Sequence, residues 1–320
     1  MTETAAEPSS VVRAVFFGSG SFAVPILGAL AEMSGVRVEA VLSAPDRPVG
    51  RKAIVTPTPV TVRARDIGLP ILQPARVRLP ESIDALRALA PDLIVLADYG
   101  QLIPPVLLDL PSRGFLNLHP SALPRHRGAS PIPATILAGD TESAVTLIFV
   151  TEEMDAGPIV AVAPLDVRPD DTAVTLEARA ADVAAALLRR ELPEWLAGRL
   201  EARPQAADGM TMTRPLRRED GRLDPARSAV ELERQVRAYQ PWPGSFIESD
   251  KTPGGRLIVK KAHVADGDAG DVAGRFVVTS GGVLALATCE GRLMLDKLQR
   301  AGGREMEAEE FVRGHPDLVR

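Results

Sequence analysis

Beginning at Val11, apolar runs alternate with helical patterns, and no other feature of the chain restricts its fold so tightly. The run from Val11 to Phe17 reads as a buried parallel strand, and Gly18-Ser-Gly20-Ser leads into a helical pattern through Leu30 and Met33. A second strand, Val36 to Leu42, stops at the turn-rich Ser43-Ala-Pro-Asp-Arg-Pro48. A helix near Thr61 to Asp66, the short Ile71-Leu72, a helix from Pro80 to Ala90 and the strand Leu93 to Ala97 follow. Phe115 to Leu118 and Val145 to Val150 add strands, and Asp171 to Leu188, dense in Ala, Val and Leu at helical spacing, adds a closing helix. Strand and helix in this order predict an α/β fold, a doubly wound, mostly parallel sheet with right-handed crossovers.

After Gly198 the text changes. Pro204, Gly209 and Met210-Thr-Met-Thr-Arg-Pro215 read as a linker without a core of its own. Beyond it a helix from Ser228 to Tyr239 precedes short β segments at Leu257 to Lys261, Arg275 to Thr279, Val283 to Ala287 and Arg292 to Leu298. Gly and Asp separate these segments, which predicts a small OB-like β-barrel. The expected organisation is a first domain over 1–198, a linker over 199–215 and a second domain over 216–320. A length of 320 residues suits two such domains.

One cysteine, Cys289, excludes an internal disulfide and a thiolate metal cluster, and it is expected in the core. Met1 to Ser10 is polar with Glu3 and Glu7, unlike a signal peptide, and no apolar run reaches 18 residues. These features predict a cytoplasmic protein with no membrane partner. The net charge of −5 argues against an indiscriminate nucleic-acid binder. Its distribution is uneven: from Met210 onward 18 Lys+Arg stand against 17 Asp+Glu, net +1. Arg214, Arg217, Arg218, Lys260 and Lys261 could there present a local basic face to phosphates, or form an ordinary surface of mixed charge.

The residues richest in chemistry are Asn117, His119 and, 36 residues after His119, Asp155 in Met154-Asp-Ala-Gly157. On a strand ending at residue 118 or 119, a period of two puts the Asn amide and the His imidazole on one face at the carboxyl end. Open α/β sheets bind ligands at that end. A neutral donor, a group titrating near neutrality and a carboxylate suit a tetrahedral intermediate on a carbonyl. A satisfied core histidine is the competing reading of His119.

Other segments stay open at this level. Gly18-Ser-Gly-Ser-Phe-Ala23 fits a dinucleotide fingerprint, yet Ser43-Ala44 occupies the place where a ribose-binding carboxylate belongs, and small residues in a tight βα turn are the favoured explanation. Asp46 to Lys52 holds three cations in a loop, either an arm for phosphates or solvated surface. Arg125 or Arg127 could bind an anionic group, and Ser121 to Pro124 could press on a flat ligand or only shape a turn. The four histidines show no metal-ligand spacing, so no catalytic metal is expected.

At these residues the chain resembles the methionyl-tRNA formyltransferases. The resemblance is carried by Pro45-Asp-Arg-Pro-Val-Gly-Arg51, Thr56-Pro-Thr-Pro-Val60, Asp92-Leu-Ile-Val-Leu-Ala-Asp-Tyr-Gly100, Asn117 to Pro131, Ala138-Gly-Asp140, Met154-Asp-Ala-Gly157 and Arg237-Ala-Tyr-Gln-Pro-Trp-Pro-Gly244, in the family's order. It implies a Rossmann-like formyltransferase domain that binds folate, followed by a barrel that binds tRNA. It also implies 10-formyltetrahydrofolate as co-substrate, initiator methionyl-tRNA as partner and a monomer. Asn117, His119 and Asp155 are then catalytic, Ser121, Ala122, Leu123 and Pro124 meet the folate, and Arg47, Arg51 and Lys52 meet the tRNA. The family usually has Leu where Ala122 stands, an aromatic at His126 and a Lys at Thr61. The Asn-x-His and the later Asp are common to folate-dependent formyltransferases, so they mark the reaction and leave the acceptor open. A formyltransferase for a nucleotide-linked amino sugar would share them, and a folate- or dinucleotide-binding module without chemistry would leave them idle.

Overall fold

The computed structural model describes residues 11–49, 53–248, 255–279, 282–300 and 302–314. In chain order the first half runs β1 (Val12–Gly18), α1 (Ala23–Ala31), β2 (Val36–Leu42), β3 (Arg47–Val49), β4 (Ile54–Thr56), α2 (Pro59–Asp66), β5 (Ile71–Leu72), α3 (Pro80–Ala88), β6 (Leu93–Ala97), α4 (Pro105–Leu108) and β7 (Phe115–His119). It continues with β8 (Arg127–Gly128), α5 (Pro131–Ala138), β9 (Glu142–Phe149), β10 (Ile159–Asp166), α6 (Ala173–Leu196) and β11 (Met212–Thr213). The remainder comprises α7 (Ala229–Ala238), β12 (Ser245–Glu248), β13 (Arg256–Ala265), β14 (Phe276–Val278), β15 (Leu284–Ala287), β16 (Arg292–Arg300), β17 (Glu305–Glu307) and α8 (Ala308–Gly314).

Two compact units emerge. The first takes Met1–Pro131, Glu142–Asp166 and Glu177–Thr213, and the second Ile132–Thr141, Val167–Leu176 and Arg214–Arg320. The first is built on a seven-stranded sheet in the order β10-β9-β7-β6-β1-β2-β5. Its centre is parallel: β1 pairs with β2 and β6, β2 with β5, and β6 with β7. β9 runs antiparallel to β7, and β10 antiparallel to β9. Ala14, Val15, Phe16 and Phe17 of β1 are all 0% exposed, as expected of a strand covered on both faces, which therefore reads as an unbroken apolar run. Phe17 meets Tyr99 and Phe115 edge-on, at ring-centre distances of 5.2 and 5.4 Å.

The glycine loop after β1 has a packing explanation. A Cβ on Gly18 would lie 2.7 Å from the Phe16 ring and 2.9 Å from both Ala23 Cβ and Ala97 O. Ser19 and Gly20 donate their backbone N–H groups to Asp98 O, at 2.9 and 3.4 Å. The small residues thus let α1 and β6 close on the end of β1.

The sequence places a charged loop at Asp46 to Lys52; its described part enters β3, which pairs with β4, where Ile54 and Val55 are more than 60% exposed. The base of this hairpin is anchored where Gln73 Nε2 donates to Asp46 Oδ1 (2.6 Å) and Ala44 O (2.9 Å). Thr61, at a position where the family often carries Lys, is fully buried in a hydroxyl chain with Thr58 and Ser43. Thr58 caps α2, accepting from Thr61 N at 3.0 Å.

The second unit carries a six-stranded antiparallel sheet, β12-β13-β16-β15-β14 with β17 on β16. Its core gathers Leu232, Val236, Leu257, Val259, Leu286, Leu295, Leu298 and Phe311. Cys289 departs from expectation: it is exposed, in the turn that follows β15, rather than in this core. The apolar run Leu284–Ala287 ends before it, and the chain turns at Thr288, whose hydroxyl donates to Glu290 O and Gly291 O. No helix among the described residues is long and apolar enough to cross a membrane.

Candidate active site

β7 lies between β6 and β9, and all five of its residues are buried. Asn117 and His119 sit one pleat apart on it, 7% and 5% exposed. The third group arrives from the turn after β9. That turn is tight because a Cβ on Gly157 would fall 1.8 Å from Phe149 O, and Asp155 takes φ +51, a left-handed conformation tolerated by Asp better than by most residues. The Asp155 carboxylate is thereby aimed at β7. Asn117 Nδ2 donates to its Oδ1 at 3.3 Å, and its Oδ2 lies 3.6 Å from His119 Nδ1. Gly128 N donates to the same Oδ2 at 2.7 Å. The trio expected from sequence is brought together within the first unit.

The loop over 121–130 completes the site. Its backbone takes left-handed turns at His126 (φ +59) and Gly128 (φ +100), which aim His126 O back at the imidazole. His119 Nε2 meets that oxygen at 2.9 Å. A carbonyl can only accept, so Nε2 carries a proton, and the nitrogen facing Asp155 is Nδ1. In the neutral ring Nδ1 presents a lone pair to the carboxylate.

Of the residues assigned to the folate, Ser121 is wholly buried, its hydroxyl donating to Arg125 O at 2.7 Å, and Leu123 is 8% exposed. Ala122 is exposed and Pro124 half-buried. Arg127 is not open to an anionic substrate group: it is 9% exposed and donates through Nε and Nη2 to Gln205 Oε1, at 3.0 and 2.7 Å. Arg47 lies exposed on the hairpin, whereas Arg51 and Lys52 fall outside the described residues.

Sequence reading missed the residues that hold these loops. Thr211 Oγ1 accepts from His126 N (2.8 Å), Thr213 Oγ1 donates to Arg127 O (2.9 Å) and accepts from Ser130 N (3.0 Å), and β11 pairs with β8. Gln205 Nε2 donates to Asp155 O and Gly157 O at 2.7 and 2.9 Å. All lie in the stretch read as a linker. The alternation of Thr211 and Thr213 about Met212 was the available signal, a two-residue strand too short to stand out.

Comparison with known proteins adds the family. A profile described as "Formyl transferase" matches residues 12–192, and one described as "Formyl transferase, C-terminal domain" matches 215–316. The chain is 43% identical over 302 residues to a methionyl-tRNA formyltransferase of Halorhodospira halophila, covering 94% of this chain and 96% of that one. It is 41% identical over 304 residues to that of Myxococcus xanthus, covering 95% of each. Among solved structures, an N-formyltransferase from Helicobacter canadensis, in complex with folinic acid and dTDP-3-aminofucose, superposes with a TM-score of 0.63. It covers 92% of this chain and 100% of that one, at 15% identity, a likeness of fold alone.

Proposed function

The chain belongs to the methionyl-tRNA formyltransferase family, and from that premise we propose that it transfers a formyl group from 10-formyltetrahydrofolate to the α-amine of methionine esterified to initiator tRNA. The observation that carries the reading is the convergence of an amide, an imidazole and a carboxylate on one point at the carboxyl end of β7.

In this reading the substrate amine attacks the formyl carbon, a C–N bond forms, and the carbonyl electron pair moves onto oxygen. Asn117 Nδ2 and His119 Nδ1, the latter when protonated, point to the side where that oxyanion develops. Each well-placed donor contributes roughly 3 kcal/mol. Asp155 receives the amine proton, directly or through water, and its contact with His119 passes a proton onward. Collapse then breaks the bond to the folate nitrogen, which takes that proton as it leaves. Because His119 Nε2 is committed to His126 O, Nδ1 rather than Nε2 is the working nitrogen. Ala122 and Pro124 form the open part of the folate subsite, and Ser121 and Leu123 shape it from below. Arg47 on the β3–β4 hairpin meets the tRNA backbone, with Arg51 and Lys52 beside it in sequence.

The test is formylation of methionyl-tRNA with the folate donor, using a nucleotide-linked amino sugar as the comparison acceptor. Asn117→Ala and Asp155→Asn are each expected to lower kcat by about 100-fold or more with the fold retained by circular dichroism. His119→Ala should do the same. Near-normal turnover in all three, or transfer to the sugar and not to the tRNA, overturns the proposal.

A further inference from the structure

We propose that Gln205 is a positioning residue for this reaction, acting through Asp155. The inference rests on the assignment of Asp155 above. Gln205 lies on the segment between α6 and β11, far from β7 in sequence, and its carboxamide is saturated. Oε1 accepts twice from Arg127, and Nε2 donates to Asp155 O and Gly157 O. An amide has two donor hydrogens and two acceptor lone pairs, and all four are used. Its orientation is fixed as well, because Oε1 meets only donors and Nε2 only acceptors.

The consequence is a rigid link between two loops. One supplies the His126 carbonyl that holds His119 Nε2 and the Gly128 N–H that holds Asp155 Oδ2. The other carries Asp155 itself, in a left-handed backbone conformation that needs outside support to persist. Gln205 supplies that support from the carbonyl side while Gly128 fixes the carboxylate. Without it the Asp155 backbone can relax, and the carboxylate moves away from Asn117 and His119. A displacement of about 1 Å at a reacting group costs on the order of 100-fold in rate.

Two variants separate this role from simple scaffolding. Gln205→Glu keeps an acceptor for the buried Arg127 but turns a carboxylate oxygen toward two carbonyl oxygens. Gln205→Met keeps the shape and loses every hydrogen bond. The experiment measures kcat, KM for methionyl-tRNA and for 10-formyltetrahydrofolate, and the pH dependence of kcat for both variants, alone and combined with Asp155→Asn. We expect each single variant to lower kcat by about 10- to 100-fold with KM held within about threefold, and to displace the pH profile. Neither is expected to lower kcat further once Asp155 is Asn, because residues acting as a unit are not additive.

Normal turnover in Gln205→Glu would reduce Gln205 to a partner for Arg127 and overturn the proposal. So would an unchanged pH profile, or losses that add in the Asp155→Asn background. If Asp155→Asn by itself turns over normally, the assignment of Asp155 fails, and this inference fails with it for that separate reason.

Discussion

Gly128 shows at the scale of one residue how the site is assembled. Its φ of +100 excludes ordinary side chains, and an added Cβ would lie 2.3 Å from Thr213 O. Its N–H is also a direct donor to the Asp155 carboxylate. Gly128→Ala therefore forces a choice between backbone strain and loss of β8–β11 pairing, and should destabilise the first unit by about 1–3 kcal/mol. It should also lower kcat when assayed well below the melting temperature; an unaltered kcat would mean that the Gly128 contact does not hold Asp155. The three catalytic candidates could be found in the sequence because their types and spacing are unusual together. Gly128, Gln205, Thr211 and Thr213 could not, since glycine, glutamine and threonine in loops have many commoner uses. Of Arg125 and Arg127, either of which the sequence offered to an anion, Arg127 looks available between prolines and small residues, and only its burial against Gln205 shows that it is already engaged.

Among the elements, β1 pairs with β2 on one side and β6 on the other and is followed by α1. The loop joining β1 to α1 has the outline of a dinucleotide fingerprint, but Gly18 is small because Phe16, Ala23 and Ala97 O surround the place of its side chain. Gly18→Ala should cost about 1–3 kcal/mol through overpacking, read from denaturant unfolding, with a loss of less than about 0.5 kcal/mol contradicting the packing account. The parallel strands were legible because burial on both faces leaves an uninterrupted apolar run. β3, β4, β8, β10, β11, β12 and β17 were not. The hairpin strands are three residues each, with Arg47, Pro48 and Ile54 to Thr56 exposed, and β10, an outer strand, carries Val162 and Pro164 at exposed positions, so its residues show no alternation of apolar and polar. In the second unit β13 runs on to Ala265 and β16 to Arg300, past the expected Lys261 and Leu298, because Ala262 to Ala265 pair with Leu295 to Arg292, and Leu257 and Ile258 with Arg300 and Gln299, through their backbones.

For the whole molecule, charge and acidity are the properties that sum over many residues. The chain carries −5 in total, so binding a polyanion depends on local cations rather than on the overall field. Replacing Arg47 with Ala should weaken tRNA binding and make the slope of log K against log salt shallower by about one unit, the mark of one lost phosphate contact. An unchanged slope would remove Arg47 from the tRNA surface. Asp98, at the end of β6, supplies a stability test. Burial, and then the nearby Glu177, push its carboxyl up to about 6. The folded state thus binds a proton more tightly than the unfolded chain, and stability falls as pH rises from about 4 to about 6. Such a shift is worth about 3 kcal/mol for an enclosed group. Asp98 retains a large open surface despite the protein around its carboxyl, so water screens the effect to on the order of 1 kcal/mol. Asp98→Asn should accordingly raise the melting temperature at pH 7.5 and leave it nearly unchanged at pH 4. Equal shifts at both pH values would exclude the protonation account.

The alternating α/β order, the strand that carries Asn117 and His119, and a second region with short β segments are all legible in the order of the residues. Those properties are local: apolar periodicity, glycine turns and helix caps act within a few residues and leave their pattern in the text. How the site is held follows from packing between distant segments: the direction in which Asp155 points, which imidazole nitrogen faces it, and the use of residues 205–213 to fasten two loops. Such relations join side chains to backbone carbonyls and N–H groups up to 86 positions apart. A backbone group is the same in every residue, so no side-chain pattern announces which of them will be needed.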